Sequence, residues 1–365
     1  MAGQAPVTPL ARRLVRQIAA TGPMTVADYM AACLMDPEHG YYTTHEPFGT
    51  AGDFTTAPEI SQMFGELLGL CLAQAWIDQG APGRIVLAEL GPGRGTLMAD
   101  LLRAAGQAAP GFVAAAEIHL IEASARLRRL QAERLAPHAP QWHHTVQDLP
   151  AAPLYLIANE FFDALPVRQF LRAGDGWAER VVGVAGDPAR LAFGRAPPVP
   201  LAVLAHRLAD TAEGDLVEIC PAAPAIAAGI AARIARHGGA AVLVDYGGWH
   251  SLGDTLQALR GHAPEDPLAH PGAADLTAHV DFEPLSRAAQ AAGAAVAGPL
   301  AQGDLLERLG IGARAARLAQ GLAGDRLDAH RAAHRRLTHP QEMGTLFRML
   351  AIHAPDRPPP PGFAS

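Results

Sequence analysis

Lysine is missing from the 365 residues of this chain; all 29 basic side chains other than histidine are arginine. With alanine so abundant, the absence reads as the imprint of a GC-rich coding sequence and carries no function. Cysteine is scarce. Cys33, Cys71 and Cys220 stand far apart and odd in number, and neither C-x-x-C nor H-E-x-x-H occurs. That pattern argues against a disulfide framework or a structural zinc site. The 16 histidines are scattered, and the adjacent His143 and His144 would point to opposite faces of a strand, so no metal is expected. No apolar run reaches the roughly 20 residues that cross a bilayer, so no membrane insertion is expected. The net charge of −7 lacks the basic footprint that nucleic-acid binding needs. What is present, 49% hydrophobic and 18% charged residues, suffices for one large α/β domain with additions or for two modest domains.

The rest of the chain is organised around Ile85-Val-Leu-Ala-Glu-Leu-Gly-Pro-Gly-Arg-Gly-Thr-Leu-Met98. An apolar run, glycines at 91, 93 and 95 and an amphipathic segment to about residue 105 predict a buried strand, a tight turn and a helix opening onto it. A backbone this bare admits a polar ligand to the main chain, where the first helical N–H groups lack intrahelical partners. The expectation is a nucleotide-type cofactor at the carboxyl edge of a parallel sheet.

Around that stretch, strands and helices alternate. Strands are expected at 85–90, 117–122, 142–146, 154–158 and 240–247, and helices at 96–105, 124–135 and 222–237. The alternation predicts an α/β fold with a doubly wound, mostly parallel Rossmann-like sheet. Upstream, a helix at 8–20 carries Leu10, Leu14 and Ile18 on one face, and Thr25 with Asp28 fits a helix start. Arginines 12, 13 and 16 with no acid in the first 27 residues also suit an organellar presequence, but the ordinary helix is the preferred reading. Asp36-Pro-Glu-His-Gly-Tyr-Tyr42 reads as a loop. Thr56 and Glu59 form a second capping box ahead of a helix with Ile60, Met63, Phe64, Leu67, Leu68 and Cys71 on its buried face. Residues 1–80 are therefore taken as an N-terminal helical extension with a cofactor-covering loop, and 81–250 as the core. An inserted β excursion is expected at about 170–215. A mixed, mainly helical region spans 251–352, with Leu346, Met349 and Leu350 in helical spacing, and 353–365 is a proline-rich tail without a core.

The cofactor is narrowed by what surrounds the turn. A dinucleotide fingerprint is G-x-G-x-x-G with an acid about 20 residues on. Here the spacing is G-x-G-x-G, Thr96 stands where the third glycine would be, and Glu122 lies 27 residues after Gly95. The absence of Gly-Lys-Ser/Thr excludes a P-loop. Glu89 before the turn and Glu122 closing the second strand suit a ligand with a ribose but no pyrophosphate. An ionised carboxylate accepts from both ribose hydroxyls, and Asp148 after the third strand is placed to accept from an adenine amino group.

These features resemble the class I S-adenosylmethionine-dependent methyltransferases. Longer blocks resemble, more specifically, the MidA-like methyltransferase family: Asp36-Pro-Glu-His-Gly-Tyr-Tyr42, Gly52-Asp-Phe54, Thr56-Ala-Pro-Glu-Ile60, Glu89-Leu-Gly-Pro-Gly-Arg-Gly-Thr96, Asn159-Glu-Phe-Phe-Asp-Ala-Leu-Pro166, Val244-Asp-Tyr-Gly247, Asp275-Leu-Thr-Ala-His-Val-Asp-Phe282 and Glu342-Met-Gly344. The resemblance spans about residues 10–352. It implies a methyltransferase fold with S-adenosyl-L-methionine as cofactor. In the mitochondrial members it implies symmetric dimethylation of an arginine on a peripheral-arm subunit of respiratory complex I, and hence a protein partner.

Guanidinium is a poor nucleophile, cationic below a pKa of about 12 with a delocalised lone pair. Carboxylates that grip its fork and relay a proton are therefore needed. Glu160 and Asp163 after the fourth strand are the first candidates, with Asp53 on the covering loop third. Glu89, Gly91, Gly93, Gly95, Glu122, Asp148 and Asn159 are the expected cofactor residues. Two readings stay open beside this one: methylation of an amide or adenine nitrogen, and a cofactor-binding assembly chaperone without turnover. A dehydrogenase is a third. A bacterial cytoplasm is the expected compartment, or the mitochondrial matrix in a eukaryote.

Overall fold

The computed structural model describes residues 8–44, 56–186 and 189–364. The described residues form two compact units that interleave along the chain, where the reading from sequence laid its pieces end to end. One draws on Met1–Phe54, Asp163–Ala222 and His250–Asp281, the other on Thr55–Phe162, Ala223–Trp249 and Phe282–Ser365.

The first unit is built on antiparallel pairing. Met24–Thr25, Gly176–Ala185, Arg168–Ala173 and Leu216–Ile219 lie side by side in that order, with Arg190–Arg195 also paired to Gly176–Ala185. The expected β excursion is thus part of this sheet. The helix Pro9–Thr21, capped by the Thr8 hydroxyl, buries Leu10, Leu14 and Ile18 as their spacing requires. Thr25 caps the helix Val26–Met35 through a 3.0 Å bond from Asp28 N. The Asp36–Tyr42 block is a turn running into a short helix, Tyr41–Thr44, in which Tyr41 is buried and the Tyr42 hydroxyl donates to Asp275.

The second unit carries seven strands: β1 (Ile85–Leu90), β2 (Ala116–Ile121), β3 (Gln141–His143), β4 (Leu154–Asn159), β5 (Gly239–Gly248), β6 (Ala295–Ala301) and β7 (Phe347–His353). Their order across the sheet is β3-β2-β1-β4-β5-β7-β6. The first five strands run parallel, and β7 pairs antiparallel with both β5 and β6. This is the expected doubly wound α/β sheet. Strands β1, β4 and β5 are buried on both faces and so read as unbroken apolar runs. Helices Gln62–Asp78 and Thr96–Ala108 pack on one another and share a core with Ile85, Leu87, Tyr155 and Ile157. Helices Ala223–His237 and Phe282–Ala291 pack together and against β7.

Three local expectations change. Thr56 makes no side-chain cap bond. The chain instead breaks at Ser61, whose extended backbone separates Ala57–Ile60 from Gln62–Asp78 and whose hydroxyl accepts from Met63 N. Glu59 is thereby released to accept from the Thr96 hydroxyl at 2.5 Å. Leu346, Met349 and Leu350 do not share a helix face, because Met349 and Leu350 lie in β7. A strand buried between two others is apolar on both faces and loses the period of two that would have marked it. In the segment read as a coreless tail, Phe363 is buried in the main core cluster.

Leu350 faces Leu243 across the β5–β7 ladder and is fully buried. Leu350→Ala should lower the unfolding free energy by about 2–5 kcal/mol, seen as a shift in the denaturation midpoint at constant slope. A change below about 0.5 kcal/mol is what an exposed helix position would give, and it would contradict the strand.

Candidate active site

Strand order reverses between β1 and β4: from β1 the chain builds outward to β2 and β3, and from β4 to β5. The loops leaving two such strands diverge, and ligands of open α/β sheets bind in the crevice between them. In register, Leu90 pairs with Ala158, so the glycine turn starting at Gly91 leaves the sheet beside Asn159, the last residue of β4. The two blocks singled out in the sequence therefore meet at one place.

Gly91, Gly93 and Gly95 have φ of 58°, 53° and 76°. These are left-handed conformations that side chains disfavour. Gly95 is the cap residue of the helix Thr96–Ala108, and its carbonyl accepts from Ala99 N at 3.1 Å. At Gly91 space also demands glycine, because a Cβ there would stand 3.0 Å from Cδ2 of Phe161. The turn thus presents bare main chain beneath the loop leaving β4.

Glu89, near the end of β1, is 3% exposed, and its Oε2 has no hydrogen-bond partner. Burial pushes its pKa up to about 8 against the counter-effect of the Met98 N–H, and nearby Glu122 raises it further. Glu122 follows β2. Its Oε1 accepts from Ser124 N at 2.8 Å and its Oε2 from Gln131 Nε2 at 3.2 Å. Burial outweighs those bonds and leaves its pKa raised. Asn159 is buried with Oδ1 unpartnered, while its Nδ2 donates to Glu160 at 3.1 Å.

Glu160 is a non-glycine residue with φ of +50°. Such backbone strain is held in place by surrounding contacts and concentrates at functional sites. Its N–H bonds the Val244 carbonyl at 2.9 Å, and its Oε1 accepts from Ala57 N at 3.2 Å as well as from Asn159. The carboxylate is therefore oriented from two sides.

Asp148 is exposed and spends Oδ2 on the N–H and hydroxyl of Thr145, each at 2.9 Å, which hold its pKa below the usual range. Asp163 falls in the first unit, buried, with its carbonyl accepting from Ala278 N. Asp53 lies outside the described residues.

Three contributors escaped sequence reasoning. Asp245, at the end of β5, accepts from Phe162 N and Tyr246 N, both at 3.0 Å, and so anchors the loop that carries Glu160. Buried Gln131 and half-buried Trp142 form a relay behind the glycine turn. The signals were faint: an acid in an apolar run at 245, and a glutamine four residues after Leu127 on a helix face.

Strand order, glycine turn and acids closing β1 and β2 define the class: an α/β methyltransferase that binds an adenosyl cofactor. Residues 67–300 match the family model described as "Putative S-adenosyl-L-methionine-dependent methyltransferase". The chain is 38% identical to "Protein arginine methyltransferase NDUFAF7, mitochondrial" of Mus musculus, over 95% of this chain and 84% of that protein. The Xenopus tropicalis protein of the same name is also 38% identical, over 84% of this chain and 76% of its own length. A Burkholderia thailandensis crystal structure, described as "a COG1565 superfamily member and likely methyl transferase" bound to S-adenosyl-homocysteine, matches with a TM-score of 0.81 at 32% identity. That match covers 98% of this chain and 92% of the other. This chain belongs to that family of S-adenosyl-L-methionine-dependent methyltransferases, within the MidA-like group, and S-adenosyl-L-methionine is its cofactor.

The residues present fit that cofactor. Glycines 91, 93 and 95 offer main chain, and Glu122 offers acceptors for ribose hydroxyls. The orphaned oxygens of Glu89 and Asn159 suit the ammonium end of the methionyl group. Among the described residues no helix is long and apolar enough to cross a membrane, and no cluster of three His, Cys, Asp or Glu side chains is placed to hold a metal.

The raised pKa of Glu89 gives a signed prediction. The folded free protein favours the protonated acid, so Glu89 costs stability progressively from about pH 4.5 up to about 8. Glu89→Gln should melt higher than wild type at pH 8, by on the order of a few kcal/mol, and the gap should close toward pH 5. The same substitution should weaken binding of S-adenosylhomocysteine. A variant destabilised equally at both pH values would refute this account.

Proposed function

We propose that the chain transfers a methyl group from S-adenosyl-L-methionine to the guanidinium of an arginine in a protein, with Glu160 as the leading catalytic carboxylate. The observation that carries this reading is the strained, doubly anchored acid at the reversal point of the sheet. An alkyl transfer in line with the sulfonium is governed by alignment, and a fixed carboxylate aligns a guanidinium fork. When bound, the cofactor supplies the electrophilic methyl. Glu160 would hold the acceptor guanidinium and accept the proton that its nitrogen gives up as the N–C bond forms and the S–C bond breaks. Asp163 and Asp53 remain proposed helpers on sequence grounds. The name shared by the relatives supports an arginine substrate.

The acid at 160 also favours a cation over a neutral amide or adenine nitrogen, whose methyltransferases resemble this loop but carry proline where Glu160 stands. A subunit of the peripheral arm of respiratory complex I is the proposed partner. The compartment is the matrix where the chain is mitochondrial, as the relatives' names support, and the cytoplasm where it is bacterial.

Labelled cofactor incubated with peripheral-arm subunits should place label on arginine. Glu160→Gln should cut transfer by roughly a hundredfold or more while S-adenosylhomocysteine still binds. Capture of a subunit with no label transferred by wild type would instead establish a chaperone.

A further inference from the structure

Gln131 lies in the helix Ala125–Arg134, where it and Leu127 are the buried residues, and it is wholly shielded from solvent. Its amide makes three bonds. Nε2 donates to the Gly93 carbonyl at 2.7 Å and to Glu122 Oε2 at 3.2 Å, while Oε1 accepts from Trp142 Nε1 at 2.8 Å. An indole nitrogen only donates, so Trp142 fixes which end of the amide faces the glycine turn. One side chain thereby holds both the peptide plane of the turn and the plane of the Glu122 carboxylate.

We propose that Gln131 is the positioning residue of the cofactor site, setting affinity for the adenosyl group by keeping Glu122 ionised and aimed at the ribose hydroxyls. This rests on the reading of Glu122 as the ribose acceptor. Glu122 has Glu89 on the neighbouring strand, Arg128 donating to its backbone carbonyl, and His143 accepting from its N–H through the main chain. None of these donates to Oε2, which receives its bond from Gln131. A buried carboxylate that loses a donor holds its proton to higher pH.

Two substitutions should therefore act with opposite sign. In Gln131→Leu, Glu122 loses its one side-chain donor and keeps only the backbone N–H groups of Ala123 and Ser124, and affinity for S-adenosylhomocysteine should fall roughly ten- to a hundredfold near neutral pH and recover as pH rises. In Gln131→Glu, a protonated carboxyl replaces the amide donor at low pH. Affinity should be nearest wild type there and fall as the two acids both ionise. Glu89 titrates in every variant and is coupled to Glu122, so each affinity is compared with wild type and with Glu122→Gln at the same pH. Trp142→Phe, which frees the amide to turn, should cost roughly two- to tenfold.

The measurement is calorimetric binding of S-adenosylhomocysteine and of its 2′-deoxy analogue across about pH 6 to 8.5, with Glu122→Gln as reference. Opposed slopes, with a smaller penalty for the missing hydroxyl in Gln131→Leu than in wild type, support the proposal. Parallel slopes or unchanged affinity, while Glu122→Gln binds weakly, overturn it and leave the ribose reading standing. If wild type binds both ligands alike and Glu122→Gln loses nothing, the ribose reading itself falls and the proposal with it. Should both Gln131 variants fail to fold, an unchanged affinity in Trp142→Phe overturns it alone.

Discussion

The structure depends on one pairing, that of β1 with β4. These strands are parallel, buried on both faces, and matched so that both end at the same level. Their continuations lead to opposite halves of the sheet: Gly91 N bonds the Ile121 carbonyl of β2 and Glu160 N the Val244 carbonyl of β5, so the two loops part above the β1–β4 seam. A polar crevice at this level is a consequence of strand order, and the chain has placed glycines on one side of it and an asparagine and acids on the other.

What lines the crevice is a set of carboxylates in poor solvent. Glu89 and Glu122 are both raised in pKa by burial, and the Glu122 carboxylate raises that of Glu89 further. Two such acids are tolerable when they accept N–H bonds, as Glu122 does, or remain protonated, as Glu89 does in the free protein. Glu160 solves the same problem differently, through one oxygen bonded to two donors and a backbone turned to positive φ. Asp245 holds that loop through Phe162 N, so its conformation is over-determined and the strain is retained.

The contacts link elements far apart in sequence. The helix Ala57–Ile60 meets the Glu160 carboxylate at its first residue and the Thr96 hydroxyl through Glu59. Thr96 in turn accepts from Arg134 at the end of the helix that carries Gln131. The glycine turn is thus braced from both sides by side chains from other elements. Such second-rank contacts are invisible to spacing rules, which describe one element at a time.

Local chemistry was enough for the strand, glycine turn and helix around residue 91 and for the parallel class of sheet. Apolar runs and φ > 0 glycines are properties of the chain itself. Local chemistry misread residues 346–350, because burial on both faces erases periodicity. Only tertiary structure decided that Asp163 belongs with a different unit from Glu160, that Phe161 covers Gly91, and that Gln131 joins turn to carboxylate. Those meetings depend on where distant strands cross, a quantity that no stretch of sequence contains.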